Sequence, residues 1–250
     1  MKSSLDRSKI NATIKQSKFH RYIYLNNPKS ACSTIQYNLW MNDYRAGNVD
    51  FLPSEGLELH QKAIGNVFTK NWNIDQPQEW FIFSFVRNPF VRLLSVYLDK
   101  VNKQTPIKKE LTQIIGIDFQ ASISFDEFIE MISELSPQED NPHWREQSEN
   151  ILIGYLPINY LGYVEYLESD LTTVWKRIFR KPNFETIKSW QSHKTGAKEL
   201  LEKYYTSRSK HLAYLKYEKD FINFGYSENF NYLEPQKITR TFPIHSKDNA

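Results

Sequence analysis

The apolar and polar positions first become regular at RYIYLNN, residues 21–27, where aromatic and β-branched side chains predict a short strand. PKSACST follows as a loop carrying a lysine. IQYNLWMNDYR then sets Ile35, Leu39 and Trp40 on one helical face, with Ser33 or Thr34 placed to cap that helix. A second strand–helix unit begins at WFIFSFVRNPF. Its almost unbroken apolar run, residues 80–86, predicts a strand buried on both faces of a parallel sheet. Pro89 sits near the start of the helix predicted over residues 90–102, which sends Leu93, Leu94, Tyr97 and Val101 inward.

Further along, SFDEFIEMISEL (124–135) predicts a helix: Ser124 and Glu127 have capping-box spacing, and Phe125, Phe128, Ile129, Ile132 and Leu135 form one stripe. Residues 159–167 predict a third strand, followed by a helix through Leu171, Val174, Trp175 and Ile178; residues 199–224 read as largely helical. Residues 1–19 read as a polar arm and 233–250 as an extended tail, with loops at 46–56, 103–123 and 136–150. Strands in series with intervening helices predict an α/β fold, a central, mostly parallel sheet flanked by helices. No internal repeat or Gly/Ser-rich linker divides the chain, so one domain over residues 1–250 is expected.

Composition narrows the function classes. A net charge of +3 suits an anionic small substrate but lacks the dense basic footprint of a nucleic-acid binder, so no nucleic-acid partner is expected. The 6 Trp, 15 Tyr and 16 Phe imply a large aromatic core. One cysteine, Cys32, excludes an internal disulfide and favours a reducing compartment. The opening residues carry no apolar signal region, and no stretch nears the ~20 apolar residues of a membrane span. A cytoplasmic protein is therefore expected, peripheral to a membrane if its substrate is lipid-linked.

Two stretches carry candidate chemistry. PKSACST places Lys29 at a strand–helix junction, where unpaired N–H groups and the helix dipole favour an anion. It lacks the G-x-x-x-x-G-K-[ST] frame, and no acidic residue at a strand end offers itself as a magnesium ligand. FSFVRNPFVRLLSVY places Arg87 at a strand end and Ser95 two turns into the next helix, at the sheet edge where open α/β folds bind ligands. Arg87 can fork onto a phosphate and Ser95 can donate to it. Two anion sites imply a ligand with two anionic groups.

Together the two stretches resemble the nucleotide-binding motifs of sulfotransferases that use 3′-phosphoadenosine 5′-phosphosulfate (PAPS). They are most similar to the carbohydrate-type, family 2-like branch, which includes chondroitin and HNK-1 sulfotransferases and bacterial relatives. LHQKA, HWREQS, YLGYVEYLESDL (a "GxxExLxxD" pattern), SHKTG, YYT and YEKDFINFGY continue the resemblance in order, over roughly residues 22–226. It implies a P-loop-like three-layer fold and sulfuryl transfer from PAPS, with no metal, to a hydroxyl of a carbohydrate, glycolipid or other hydroxylated acceptor.

Carried over by residue, the resemblance assigns the 5′-phosphosulfate to Lys29, Ser30, Ala31, Cys32, Ser33 and Thr34. It assigns the 3′-phosphate to Arg87 and Ser95, with Lys194 as a further contact from the His193–Thr195 stretch. The loop has Ala31 and Cys32 where the commonest form has glycine, and Glu146 stands where the family's polar loop often has proline. Lys29 would neutralise charge on the leaving oxygen, and His60 is the first candidate base, His143 the second. Trp144, Arg145 and Gln147 suit acceptor contacts, a ring for a sugar face and polar groups for hydroxyls. Glu165 is a structural residue or a further acid–base group. A kinase or nucleotide hydrolase and a non-catalytic binder of the same fold remain as alternatives.

Overall fold

The computed structural model describes residue 10 and residues 13–52, 58–73, 76–136, 139–179 and 195–236. In chain order come β1 (Ile14–Gln16), β2 (Tyr22–Leu25), α1 (Cys32–Arg45), α2 (Glu58–Asn66) and β3 (Phe81–Val86). They are followed by α3 (Pro89–Val96), α4 (Pro106–Ile115), α5 (Phe125–Glu134), β4 (Tyr160–Tyr163), α6 (Leu167–Ile178) and α7 (Ser207–Phe224). These elements gather into two compact units. The sheet with α1, α2 and α6 comes from residues up to 86 and 149–192; α3, α4, α5 and α7 come from residues 87–148 and 193–238.

In the first unit the sheet order is β1-β2-β3-β4. β2, β3 and β4 are parallel, and β1 runs antiparallel to β2 with Lys15 opposite Tyr24. Tyr22, Tyr24, Phe83 and Phe85 present one face of the sheet to Ile35, Leu39 and Trp40 of α1 and to Leu171, Val174 and Trp175 of α6. The apolar run over residues 80–86 is thus the central strand it predicts, and every β3 residue after Phe81 is buried. β4 stops at Tyr163, and one 3₁₀ turn, Val164–Tyr166, leads into α6, so the predicted third strand is shorter than its apolar pattern.

β1 corrects the expectation of a polar arm over residues 1–19. Its three residues are buried, although two of them are Lys15 and Gln16. Nothing local announces so short a strand; its stability comes from pairing with β2.

In the second unit α7 packs against α3 and α5, with Phe90 against Phe221 at 4.7 Å between ring centroids. Asn88 caps α3 by accepting from the Phe90 and Val91 amides, with Pro89 at the first helical position. The helical path then widens into a π-helical stretch, Tyr97–Val101. The Ser124–Glu127 capping box forms as its spacing predicts. Residues 103–123, expected as loop, contain α4, which starts on a Thr105 cap with Pro106 behind it and ends at Gly116 at φ 78°. Among the described residues no helix is long and apolar enough to cross a membrane.

Candidate active site

The loop between β2 and α1 is built on Asn27. This side chain is fully buried, and its amide donates to Ser30 Oγ at 3.1 Å and to the Phe85 carbonyl at 3.0 Å. The Ser30 amide donates back to the Asn27 carbonyl at 3.2 Å. That turn holds Lys29 at φ 65° and Ala31 at φ 59°, positions a side chain adopts only at a cost of roughly 1–3 kcal/mol. Among the described residues the other non-glycine position at positive φ is Leu152.

Ala31, rather than Ser33 or Thr34, is the N-cap of α1, and no side chain caps the helix. Residues after a left-handed position turn their N–H groups toward one centre, the geometry of an anion-binding nest. The first turn of α1 (Cys32, Ser33 and Thr34) therefore lies where the sequence places an anion. Lys29 and the Cys32 thiol are both partly exposed beside it.

Arg87 follows β3 directly and belongs to the second unit. Gln147, expected to meet the acceptor, is buried and grips Arg87 instead. Its Oε1 accepts from the Arg87 amide at 3.0 Å, and its Nε2 donates to the Arg87 carbonyl at 2.8 Å. Gln147 is itself placed by Asp220, whose carboxylate accepts from the amides of Gln147 and Ser148 at 2.7 and 2.8 Å. Burial pushes the Asp220 carboxyl up from its ordinary value, and the hydrogen bonds from Ser148 and Gln147 oppose that shift.

Ser95 lies in α3, 2% exposed, and its hydroxyl accepts from Thr195 Oγ1 at 3.2 Å. Thr195 is thereby brought to Ser95; His193 and Lys194 lie outside the described residues.

The polar loop at 139–146 is not an open binding loop. Arg92, 1% exposed, donates to the Arg145 and Pro142 carbonyls at 2.9 and 3.0 Å, and the Tyr217 hydroxyl donates to the Trp144 carbonyl. This corrects two expected acceptor contacts. Trp144 is 0% exposed with its ring edge-on to Phe128, so no face remains for a sugar. Arg145 is buried, with its guanidinium on the Asp140 carbonyl. His143 is half-buried, and its Nδ1 lies 2.7 Å from Asn141 Oδ1. An amide oxygen only accepts, and the Asn141 amide nitrogen donates to Glu110, so His143 Nδ1 carries a proton. His60 lies in α2, and its side chain is outside the described residues.

Residues 13–227 match the Sulfotransferase family. The chain belongs to the sulfotransferase family. Carbohydrate sulfotransferase 14 of Danio rerio is 27% identical over 231 residues, covering 83% of this chain and 60% of that protein. The Homo sapiens protein of the same name is 25% identical over 227 residues, covering 83% and 58%. The chain thus spans less than two thirds of the length of these curated relatives. No solved structure matches it.

The mixed, mostly parallel sheet with flanking helices is this P-loop-like family's α/β fold. Within this family member, the YLGYVEYLESDL stretch has a structural account. Gly162 pairs with Phe85 across the strands, and a Cβ there would come within 2.4 Å of the Phe85 ring. Asp170 accepts from the Tyr163 amide at 2.8 Å and so ties α6 to the end of β4. Sequence reasoning missed Asn27, Arg92 and Asp220 because each has a partner far along the chain, Phe85 for Asn27, Arg145 for Arg92 and Gln147 for Asp220. The one readable signal was Arg92, the one charge inside the mostly apolar helix PFVRLLSV.

Proposed function

We propose that this chain is a sulfotransferase domain that moves a sulfuryl group from PAPS to a hydroxyl of a carbohydrate or glycoconjugate. The observation that carries the reading is the β2–α1 loop of a family member, with Lys29 and Ala31 held at positive φ in front of an uncapped helix. The carbohydrate sulfotransferase 14 relatives support the acceptor class.

In this reading residues Lys29 to Thr34 hold the 5′-phosphosulfate group, and Arg87, Ser95 and Lys194 take the 3′-phosphate. PAPS supplies the sulfuryl group and a good leaving group. The acceptor oxygen bonds to sulfur as the bond from sulfur to the 5′-phosphate oxygen breaks, and Lys29 stabilises the charge gathering on that oxygen. The acceptor proton passes to a histidine, and 3′-phosphoadenosine 5′-phosphate (PAP) is released. No step is assigned to a metal.

His60 is the proposed base. The Asn141 contact gives His143 a specific claim as the alternative, because a fixed Nδ1–H makes the other ring nitrogen the basic one. The lone Cys32 supports a reducing, cytosolic setting, and a lipid-linked acceptor would bring the protein to a membrane surface.

Single-turnover transfer from PAPS, with PAP affinity measured alongside, separates the candidates. Loss of roughly 100-fold or more in rate with PAP affinity kept is expected for His60→Ala. The same loss in His143→Ala alone transfers the role to His143. Full rates in both variants overturn a histidine base.

A further inference from the structure

At the edge of the loop stands a cation that the carried-over motifs do not include. Lys15 lies in β1 directly opposite Tyr24, so the two side chains share a face of the sheet. That face is the one on which α1 packs, since Tyr24 joins Ile35 and Leu39 in one buried cluster. β1 runs antiparallel, so Lys15 stands one residue from the carboxyl end of β2, where the Asn26 amide donates to the Thr13 carbonyl at 2.8 Å and the loop begins.

An outer-strand lysine ordinarily reaches into water, but Lys15 is 7% exposed. Among the described residues its ammonium has no carboxylate and no hydrogen-bond acceptor; the group acting on it is the Cys32 thiol, at the first position of α1. The Tyr24 hydroxyl beside it faces the Asn27 amide but is buried without a hydrogen bond of ordinary geometry. A buried ammonium without a counter-charge is costly, and burial accordingly lowers the Lys15 pKa from its usual value. Among the described residues this is a buried ammonium without a counter-charge, close enough to feel the first residue of an uncapped helix.

We propose that Lys15 is a second cation of the β2–α1 loop, and that its ammonium binds an oxygen of the anion held at the start of α1. Resting on the reading above, that anion is the 5′-phosphosulfate of PAPS, or the 5′-phosphate of PAP after transfer. Lys29 then comes from the loop and Lys15 from the sheet, and the two grip one oxyanion from different elements. The bound anion supplies the counter-charge that the described residues do not. A rival explanation is that an inward charge on an outer strand only guards that edge against pairing with another chain.

The test is calorimetric binding of PAP and of adenosine 3′-phosphate, which lacks the 5′ group, to wild type, Lys15→Met and Lys15→Arg. Lys15→Met should lose about tenfold or more in affinity for PAP, as expected for a charge-assisted hydrogen bond. Its affinity for adenosine 3′-phosphate should stay within about twofold, since a structural lysine would weaken both. Lys15→Arg should recover most of the PAP affinity. Unchanged PAP affinity in Lys15→Met, or equal loss for both nucleotides, overturns the proposal.

Wild type that binds adenosine 3′-phosphate but gains nothing from the 5′ group overturns the anion site at the loop and Lys15 with it. Wild type that gains from that group while Lys15→Met gains as much overturns Lys15 alone.

Discussion

Gln147 holds both backbone polar groups of Arg87, accepting from its amide at 3.0 Å and donating to its carbonyl at 2.8 Å. A side-chain amide used this way acts like a neighbouring strand, and it fixes the residue that follows β3. Gln147→Leu removes both bonds from a buried place and should cost about 1–3 kcal/mol. If Arg87 receives a 3′-phosphate, the same variant should also weaken PAP binding by about tenfold, with Gln147→Glu intermediate because it keeps the acceptor. Urea unfolding and PAP titration of the two variants check this. Normal PAP affinity in a destabilised Gln147→Leu would show that the clamp serves stability alone.

The β2–α1 loop holds Ala31 at φ 59° without a glycine. Ala31→Gly relieves the strain but adds backbone freedom to the unfolded chain, so stability should change by less than about 1 kcal/mol and PAP binding should persist. Ala31→Val puts a β-branched side chain where one is hardly tolerated and should cost about 2 kcal/mol or more, with loss of PAP binding. Denaturation midpoints of both variants decide whether positive φ is required here.

Gly162 has no room for a side chain, since an added Cβ would lie 2.4 Å from the buried Phe85 ring. Phe85 sits in the core and cannot swing aside without displacing its neighbours. Gly162→Ala should therefore destabilise the fold by about 1–3 kcal/mol, as overpacking does, and thermal unfolding reads it directly.

Alkali should unfold the protein through its tyrosines. Burial raises the phenols of Tyr22, Tyr24, Tyr205 and Tyr217 well above their ordinary value. A raised folded-state pKa means that the folded chain keeps protons the unfolded chain gives up. The stability from these groups is fully present below the ordinary phenol pKa, ~10, and is lost as pH rises toward the folded-state values. Urea midpoints should fall from about pH 10 upward. Four phenols ionising near pH ~10 in the intact fold, followed by ultraviolet absorbance, would contradict this.

What the sequence disclosed was local. The apolar run of β3, the Ser124–Glu127 box and Pro89 at the start of α3 each follow from a few adjacent residues, and each forms in the fold. α4 had comparable signals in Thr105, Pro106 and Gly116, but its mixed composition hid them. β1 was hidden for a different reason: a lysine and a glutamine become buried only once β2 stands beside them.

The site divides in the same way. Lys29, Arg87 and Ser95 are proposed as anion contacts from their places after a strand or in the helix that follows it. The residues that hold Arg87 in place are not legible there, because Gln147 lies 60 positions from Arg87, and Asp220 lies 73 from Gln147. Trp144 and Arg145 looked available because their neighbours are polar, yet Arg92 and Tyr217 bind the carbonyls of that loop and draw it inward.

Sulfuryl transfer itself is measured by moving labelled sulfate from PAPS to a panel of carbohydrate acceptors, wild type against Lys29→Ala. Wild type should transfer, and Lys29→Ala should lose roughly 100-fold or more, the scale of removing one group that stabilises charge in the transition state. Transfer at wild-type rates by Lys29→Ala, or tight PAP binding by wild type with no acceptor sulfated, would contradict the proposed function.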